Sequence, residues 1–399
     1  MSVTARGVPI GEQIAVARKV AGVSQQVLAQ RANYSVSMVR AVEQGREPAS
    51  AGFVAAVAKA LGVEPQELYG QPYHRLLAED GGGLTGVAEL QALLAEGSHV
   101  DPVEPPALEE LAVDLAAVAR DRHEDRARRA LVKVPVLLRQ LHGAVDSADH
   151  GDEREHAYRL LARAYGNAAQ LTYRFGWLVM ASTLLDRMER AAASSGQPLL
   201  IAHAIQQRAL LLLSHSAYAS GQRCVERSLD LVGPPEREAE LALAGAAHLR
   251  GATLAARDRD ADRVAEHLEE AERLARLVGH ESAAYDTNFG PGNVMIHRVS
   301  VALDVGDPGR AAQTGSRLRL PADMKATRVG RHWQDVARAW TLAGDHPAAL
   351  KALNRARKAA PQQTRFHPHV HETVHAIAAE QRRSSDGVAS FAGWLGLKT

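Results

Sequence analysis

Between Val23 and Gly45, apolar residues recur every three or four positions in two short runs separated by a polar break. Val27, Leu28 and the small Ala29 give the first run an inner face, and Met38, Val39 and Val42 give the second run another. Ser24 and Ser35 stand where each helix would begin, and a serine hydroxyl there satisfies an orphan backbone N–H. Asn33-Tyr34 supply the turn, and Gly45 ends the second helix because glycine enters the left-handed region without strain. Two helices, a tight turn and a small residue at their crossing predict a helix-turn-helix. The outer face of its second helix carries Val36, Ser37, Arg40 and Ala41, the face that would enter a major groove.

After Pro48, Val54, Val57, Ala58 and Leu61 line a fourth helix, and Gly62-Val63-Glu64-Pro65 turns into a short fifth. The pattern then breaks. Gly81-Gly82-Gly83, Pro102, Pro105 and Pro106 mark a linker over 71–106, with one amphipathic helix expected over Gly86–Glu96. From Ala107 helical periodicity resumes and runs to the end, beginning with Leu108–Asp121 and Glu124–Val145. A repeat then emerges. In its clearest copy Trp333 and Trp340 fill the gap between two helices, Ala337, Ala349 and Ala356 let them approach, Gly344 turns and Pro361 ends the pair. Weaker copies cover Asn167–Ala193, Ala202–Val232, Ala242–Leu277 and Val294–Leu318.

Residues 10–70 resemble the Xre/lambda-repressor family, through IGEQIAVARKVAG, SQQVLAQRAN, YSVSMVRAVEQGRE and FVAAVAKALGVEPQEL. That resemblance implies that Gln25 holds a DNA phosphate and that Arg18 pairs with Glu43. It also puts the base-reading positions on Val36, Ser37, Arg40 and Ala41. Most of these are small or apolar, a departure that leaves only Arg40 as a strong charged contact. With Ser35 at the helix start and Arg46 just past its end, Gln25, Ser35, Val36, Ser37, Arg40, Ala41 and Arg46 form the expected DNA-binding set. Residues 331–361 are similar to the tetratricopeptide family, and the whole layout resembles actinobacterial Xre regulators with a tetratricopeptide-like body. FGPGNVMIH at 289–297 and APQQTRFHPHVHETV at 360–374 also carry that likeness. At the level of architecture alone, it resembles quorum-sensing regulators that bind short peptides in such a groove. The expected fold is all-α: a five-helix lambda-repressor-like domain over 10–70, then a tetratricopeptide-like α-solenoid over 107–399 that senses a ligand and dimerises.

Composition narrows the chemistry. Aromatics make up only 4% of the 399 residues, in keeping with a helical chain. The net charge is +1, and residues 1–70 carry seven basic against five acidic side chains, so DNA affinity would come from a local patch and from dimerisation. The single Cys224 excludes an internal disulfide and fits a reducing cytoplasm. No secretory pattern and no long apolar run suggest a membrane, so a cytoplasmic homodimer on a palindromic operator is expected.

On the solenoid, repeat geometry projects Gln170, Tyr173, Gln206, Gln334 and Arg338 to the concave side, with Asn167 nearby. Their amides would clamp a peptide or small molecule. Asn293 and His297 follow Gly290-Pro291-Gly292 one helical turn apart and join the candidate ligand set. His371-Glu372-Thr373-Val374-His375 matches HExxH, which on a helix puts two imidazoles on one face beside a potential base. Its nearby third ligands would be Glu380 or Asp386, and the surrounding pattern is solenoid rather than peptidase. The expectation is therefore a regulator with no cofactor, no metal and no catalytic residue. A DNA-bound scaffold holding a partner protein, and a zinc metallopeptidase fused to an Xre head, are the alternatives.

Overall fold

The computed structural model describes residues 9–71, 83–101, 103–380 and 386–397. Much of the glycine-rich linker and the side chains of Glu380 and Asp386 lie outside the described residues. The fold is all-helical, an N-terminal helix-turn-helix head followed by a helical solenoid.

The head comprises α1 (Ile10–Val20), α2 (Gln25–Ala32), α3 (Val36–Glu43), α4 (Ala51–Leu61) and α5 (Pro65–Leu68). Ser24, Ser35 and Ser50 cap α2, α3 and α4, accepting from Val27 N, Met38 N and Phe53 N at 3.2, 3.1 and 3.0 Å. Asn33 ends α2 in the left-handed region at φ 56°. Ile14, Leu28, Val39, Phe53, Val54 and Val57 fill the core, while Val27 turns outward. At Gly11 the backbones of α1 and α3 nearly touch. A Cβ there would lie 2.0 Å from the Val42 carbonyl oxygen, so only glycine permits the crossing.

The body comprises α6 (Gly83–Glu96), α7 (Leu108–His123), α8 (Ala127–Ser147), α9 (Asp152–Arg174), α10 (Leu178–Ser194), α11 (Pro198–Ser214) and α12 (Tyr218–Val232). It continues through α13 (Glu238–Asp258), α14 (Ala261–Val278), α15 (Pro291–Asp304), α16 (Pro308–Arg317), α17 (Ala326–Leu342) and α18 (His346–Ala359). Three further helices close it: α19 (Pro361–Phe366), α20 (Pro368–Glu380) and α21 (Asp386–Leu395).

Two features depart from a linker followed by an open groove. First, α6 is packed rather than free. Val87, Leu90 and Leu93 are buried in one core with α7 to α10, and Arg187 donates to the Leu94 carbonyl at 2.6 Å. Second, the solenoid curls until its end meets its beginning. Asp125, in the α7–α8 turn, accepts from Gln362 N and Gln363 N at 2.5 and 2.8 Å, capping the start of α19. The ring of Phe366 lies edge-on to Phe175 at 4.8 Å and is buried in the α6–α10 core. A carboxylate on orphan helix N–H groups together with a buried aromatic makes a firm seam.

The head sits over this ring. Gln66 Oε1 accepts from Leu178 N at 3.2 Å, Glu64 meets His215 at 3.3 Å, and Glu372 Oε1 accepts from Ile10 N at 3.3 Å. The Tyr69 ring stands edge-on to His369 at 5.7 Å, and the Arg259 guanidinium lies 5.2 Å from the centre of the Tyr34 ring. Polar and aromatic contacts of this kind resemble a transient interface more than a core.

Candidate functional site

The helix-turn-helix presents a largely polar outer face. Ser35, Ser37, Arg40 and Arg46 are exposed, and Val36 and Ala41 are half-buried beside them. Ser37 Oγ is 2.9 Å from Ser35 Oγ, and Arg46 donates to Gln44. Behind this face, Arg18 donates through Nε and Nη2 to both oxygens of Glu43 at 2.6 and 2.9 Å, and through Nη1 to the Val23 carbonyl at 2.9 Å. Gln25 donates to the same carboxylate at 2.7 Å. One amide hydrogen of Gln25 is thus spent on Glu43, which leaves the other for a further acceptor. Arg18, Glu43 and Gln25 make one network, tying α1 and the start of α2 to the end of the recognition helix.

The second candidate is the space enclosed by the ring and covered by the head, a cavity of about 390 Å³. Gln170, Tyr173, Gln206 and His297 line it. Asn167 borders a small adjoining recess and takes a 2.7 Å bond from Arg122 Nε. Asn293 stands behind the wall, where its side chain accepts from Arg328. Gln334 and Arg338 depart from the expectation. Gln334 is buried with its amide donating to Thr364 Oγ1 at 3.1 Å, and Arg338 is buried 4.0 Å from Asp304. The projection assumed an open concave face at α17, but α19 and α20 cover it.

What the sequence reading missed is the charge of this cavity. Arg122, Arg174, Arg250, Arg257, Arg328 and Arg331 line it together with two carboxylates, Asp286 and Asp335, and Arg257 is also paired with Asp304 at 3.2 Å. Burial lowers the pKa of Arg174 and Arg328 to about 10, with Arg122 adding to the first shift and Arg250 and Arg331 to the second. Burial and the neighbouring guanidiniums also push His123 down to about 4 and His297 to about 3, so these imidazoles are neutral. The six arginines come from four helices of the ring, α7, α9, α13 and α17, with no shared local motif.

The loop between α14 and α15 also enters this space. Tyr285, Asp286 and Asn288 all adopt positive φ, at 50°, 56° and 49°, a strained run for residues with side chains. It carries Asp286 to 3.7 Å from His123 Nε2 and 4.0 Å from Arg122 Nη2. Asn288 Nδ2 lies 3.3 Å from His123 Nδ1.

The HExxH segment lies on α20. His371 Nε2 is 2.8 Å from the Arg365 carbonyl oxygen, and Glu372, the would-be base, holds the first residue of α1. Among the described residues no three His, Cys, Asp or Glu side chains are grouped to hold a metal ion. No described helix is long and apolar enough to cross a membrane.

Residues 9–68 match the family model of a helix-turn-helix domain. No curated protein matches the chain. Among solved structures, BtubC (BKLC) from P. vanneervenii is 17% identical with a TM-score of 0.36, the similarity covering 69% of this chain and 96% of that one. Bacillus thuringiensis PlcR, solved in complex with the peptide PapR7 and DNA, is 11% identical with a TM-score of 0.32, covering 68% and 95%. Both scores are low, and neither likeness bears on function.

Proposed function

We propose that this protein is a sequence-specific, DNA-binding transcriptional regulator whose ring-shaped body binds a peptide or small-molecule signal that modulates DNA binding. The observation that carries the reading is the helix-turn-helix head, in which Ser24 and Ser35 cap α2 and α3 and the exposed α3 turns Arg40 outward. In this reading Arg40 reads a base edge, Ser37 bonds a neighbouring base, Val36 packs on a thymine methyl, and Gln25 and Arg46 hold phosphates. Ser35 fixes the angle at which α3 enters the groove.

A single head with one strong charged contact binds weakly, so two chains act together in the cytoplasm on a palindromic operator. Their recognition helices then lie about 34 Å apart on one face of the duplex. A ligand that favours one placement of the head over the ring would change that spacing and shift the population able to bind. The head's contacts with the body are few and polar, which suits such a shift.

The test is selection of random duplexes by the full-length protein, followed by sequencing and measurement of chains per duplex. An enriched inverted repeat holding two chains is the expected outcome. Recovery of unenriched sequence would sink the reading.

A further inference from the structure

We infer that the cavity between ring and head is a binding site for a small polyanion, a metabolite bearing at least two phosphoryl or carboxylate groups. This rests on the regulator reading above and specifies its ligand chemistry.

Three independent features point the same way. The first is charge balance. Guanidiniums remain charged in any protein environment, and buried cations require counter-charge. Asp335 pairs with Arg331 at 3.2 Å, Asp304 pairs with Arg257 at 3.2 Å, and Asp286 approaches Arg122 at 4.0 Å. Among the described residues, no carboxylate lies within 4.0 Å of Arg174, Arg250 or Arg328. Arg250 Nε and Arg328 Nε are buried without a hydrogen-bond partner. The histidines add no positive charge of their own and offer polar contacts only.

The second is arrangement. Arg328 and Arg331 stand one turn apart on α17, while Arg174 Nη1 donates to the Arg122 carbonyl at 3.3 Å, so guanidiniums gather at two places on the cavity wall. Two guanidinium groups suit a ligand with two separated anionic ends, each held by forked N–H donors. The cavity volume lies at the lower end of the range for small-molecule sites. The ring closes at the Asp125 seam, and the head lies over the enclosed space.

The third is the wall. Gln66, Tyr69 and Gln71 of the head line the same cavity as the ring arginines. A ligand there touches both bodies, so its binding energy is also head-docking energy. Asp286, carried on strained backbone beside Arg122, acts as an internal counter-ion that an incoming anionic group displaces.

The experiment uses the full-length protein with inorganic pyrophosphate in one arm and citrate in the other, each against potassium chloride of matched ionic strength. Thermal unfolding and calorimetric titration are the readouts. A saturable rise in Tm with either anion is expected, and the arm with the larger rise identifies phosphoryl or carboxylate chemistry. Arg328→Gln and Arg250→Gln should each weaken anion binding by about tenfold or more. They should also raise the Tm of the ligand-free protein, because each removes an uncompensated buried charge. A purely structural arginine would instead lower it. No rise beyond the chloride control, or a rise undiminished in both variants, overturns the inference. The same preparations are tested for selected DNA. Sequence-specific DNA binding without any anion effect removes the polyanion and leaves the regulator standing. Anion binding without any enriched duplex removes the regulator and leaves the polyanion site standing.

Discussion

The recognition helix and the ring cavity are opposite solutions to placing positive charge. On α3 a single arginine, Arg40, stands exposed among small and apolar residues. In the cavity six arginines converge, and among the described residues only Arg122, Arg257 and Arg331 have a carboxylate within 4.0 Å. An exposed guanidinium is well hydrated and screened by salt, so any single contact it makes is weak. A buried one is poorly hydrated, so an anion reaching it gains strongly and selectively. The near-neutral whole-chain charge of +1 hides both facts. The charge is simply turned inward.

This contrast can be broken most forcefully from the head's side. Gly11→Leu would drive a side chain into the Val42 carbonyl region, where a Cβ alone has 2.0 Å. The head should lose its fold, at about 3 kcal/mol or more, with DNA binding abolished while the ring's helical signal persists. A variant that still binds DNA and melts like wild type would show that α1 and α3 can separate cheaply.

Next comes Arg18→Ala. Its partner Glu43 has a side chain only 5% exposed, so the variant leaves a buried carboxylate with Gln25 alone. A loss of about 3 kcal/mol is expected in denaturant unfolding of the head. An unchanged midpoint would mean that the pair positions the recognition helix without stabilising it.

Arg40→Ala should leave the melting temperature within error and weaken specific DNA binding by about 1–3 kcal/mol. Anion binding in the cavity should be untouched, which separates the two sites. Equal affinity for the selected duplex would take Arg40 out of the base-reading set.

The smallest expected effect lies at the joint between the two regions. Burial raises the pKa of Glu372 to about 8 in the folded protein, with the Ile10 N–H bond opposing it, against an ordinary value of 4.5. The folded state therefore holds a proton that the unfolded chain releases. Stability from this group is full below pH 4.5 and is lost as pH rises towards 8. Histidines lowered by burial, such as His371 at about 4, work the other way and lose stability as pH falls below 6.5. Glu372→Gln keeps an oxygen for Ile10 N and removes the titration, so its advantage over wild type in Tm should grow between pH 5 and pH 8, by about one to a few degrees. A difference independent of pH would mean that Glu372 does not titrate in that window.

Local sequence determined a good deal. Ser24, Ser35 and Ser50 cap their helices, Asn33 turns, and the three- and four-residue apolar spacing sets the inner faces of both the head and the paired helices of the body. Each of these depends on neighbours within one or two turns, which is why they could be read in order along the chain. The inward placement of Gln170, Tyr173, Gln206 and His297 on the cavity wall was equally legible, since the position of a side chain on its own helix is a local property. The packing of α6 into the body, the burial of Gln334 and Arg338, and the gathering of six arginines were not. Those depend on the closing of the ring, where Asp125 meets residues more than two hundred positions away, and on the head settling over the opening. Periodicity says which side of a helix is wet or dry. Only the curvature of the whole solenoid decides which wet sides come to face one another, and so where the charge collects.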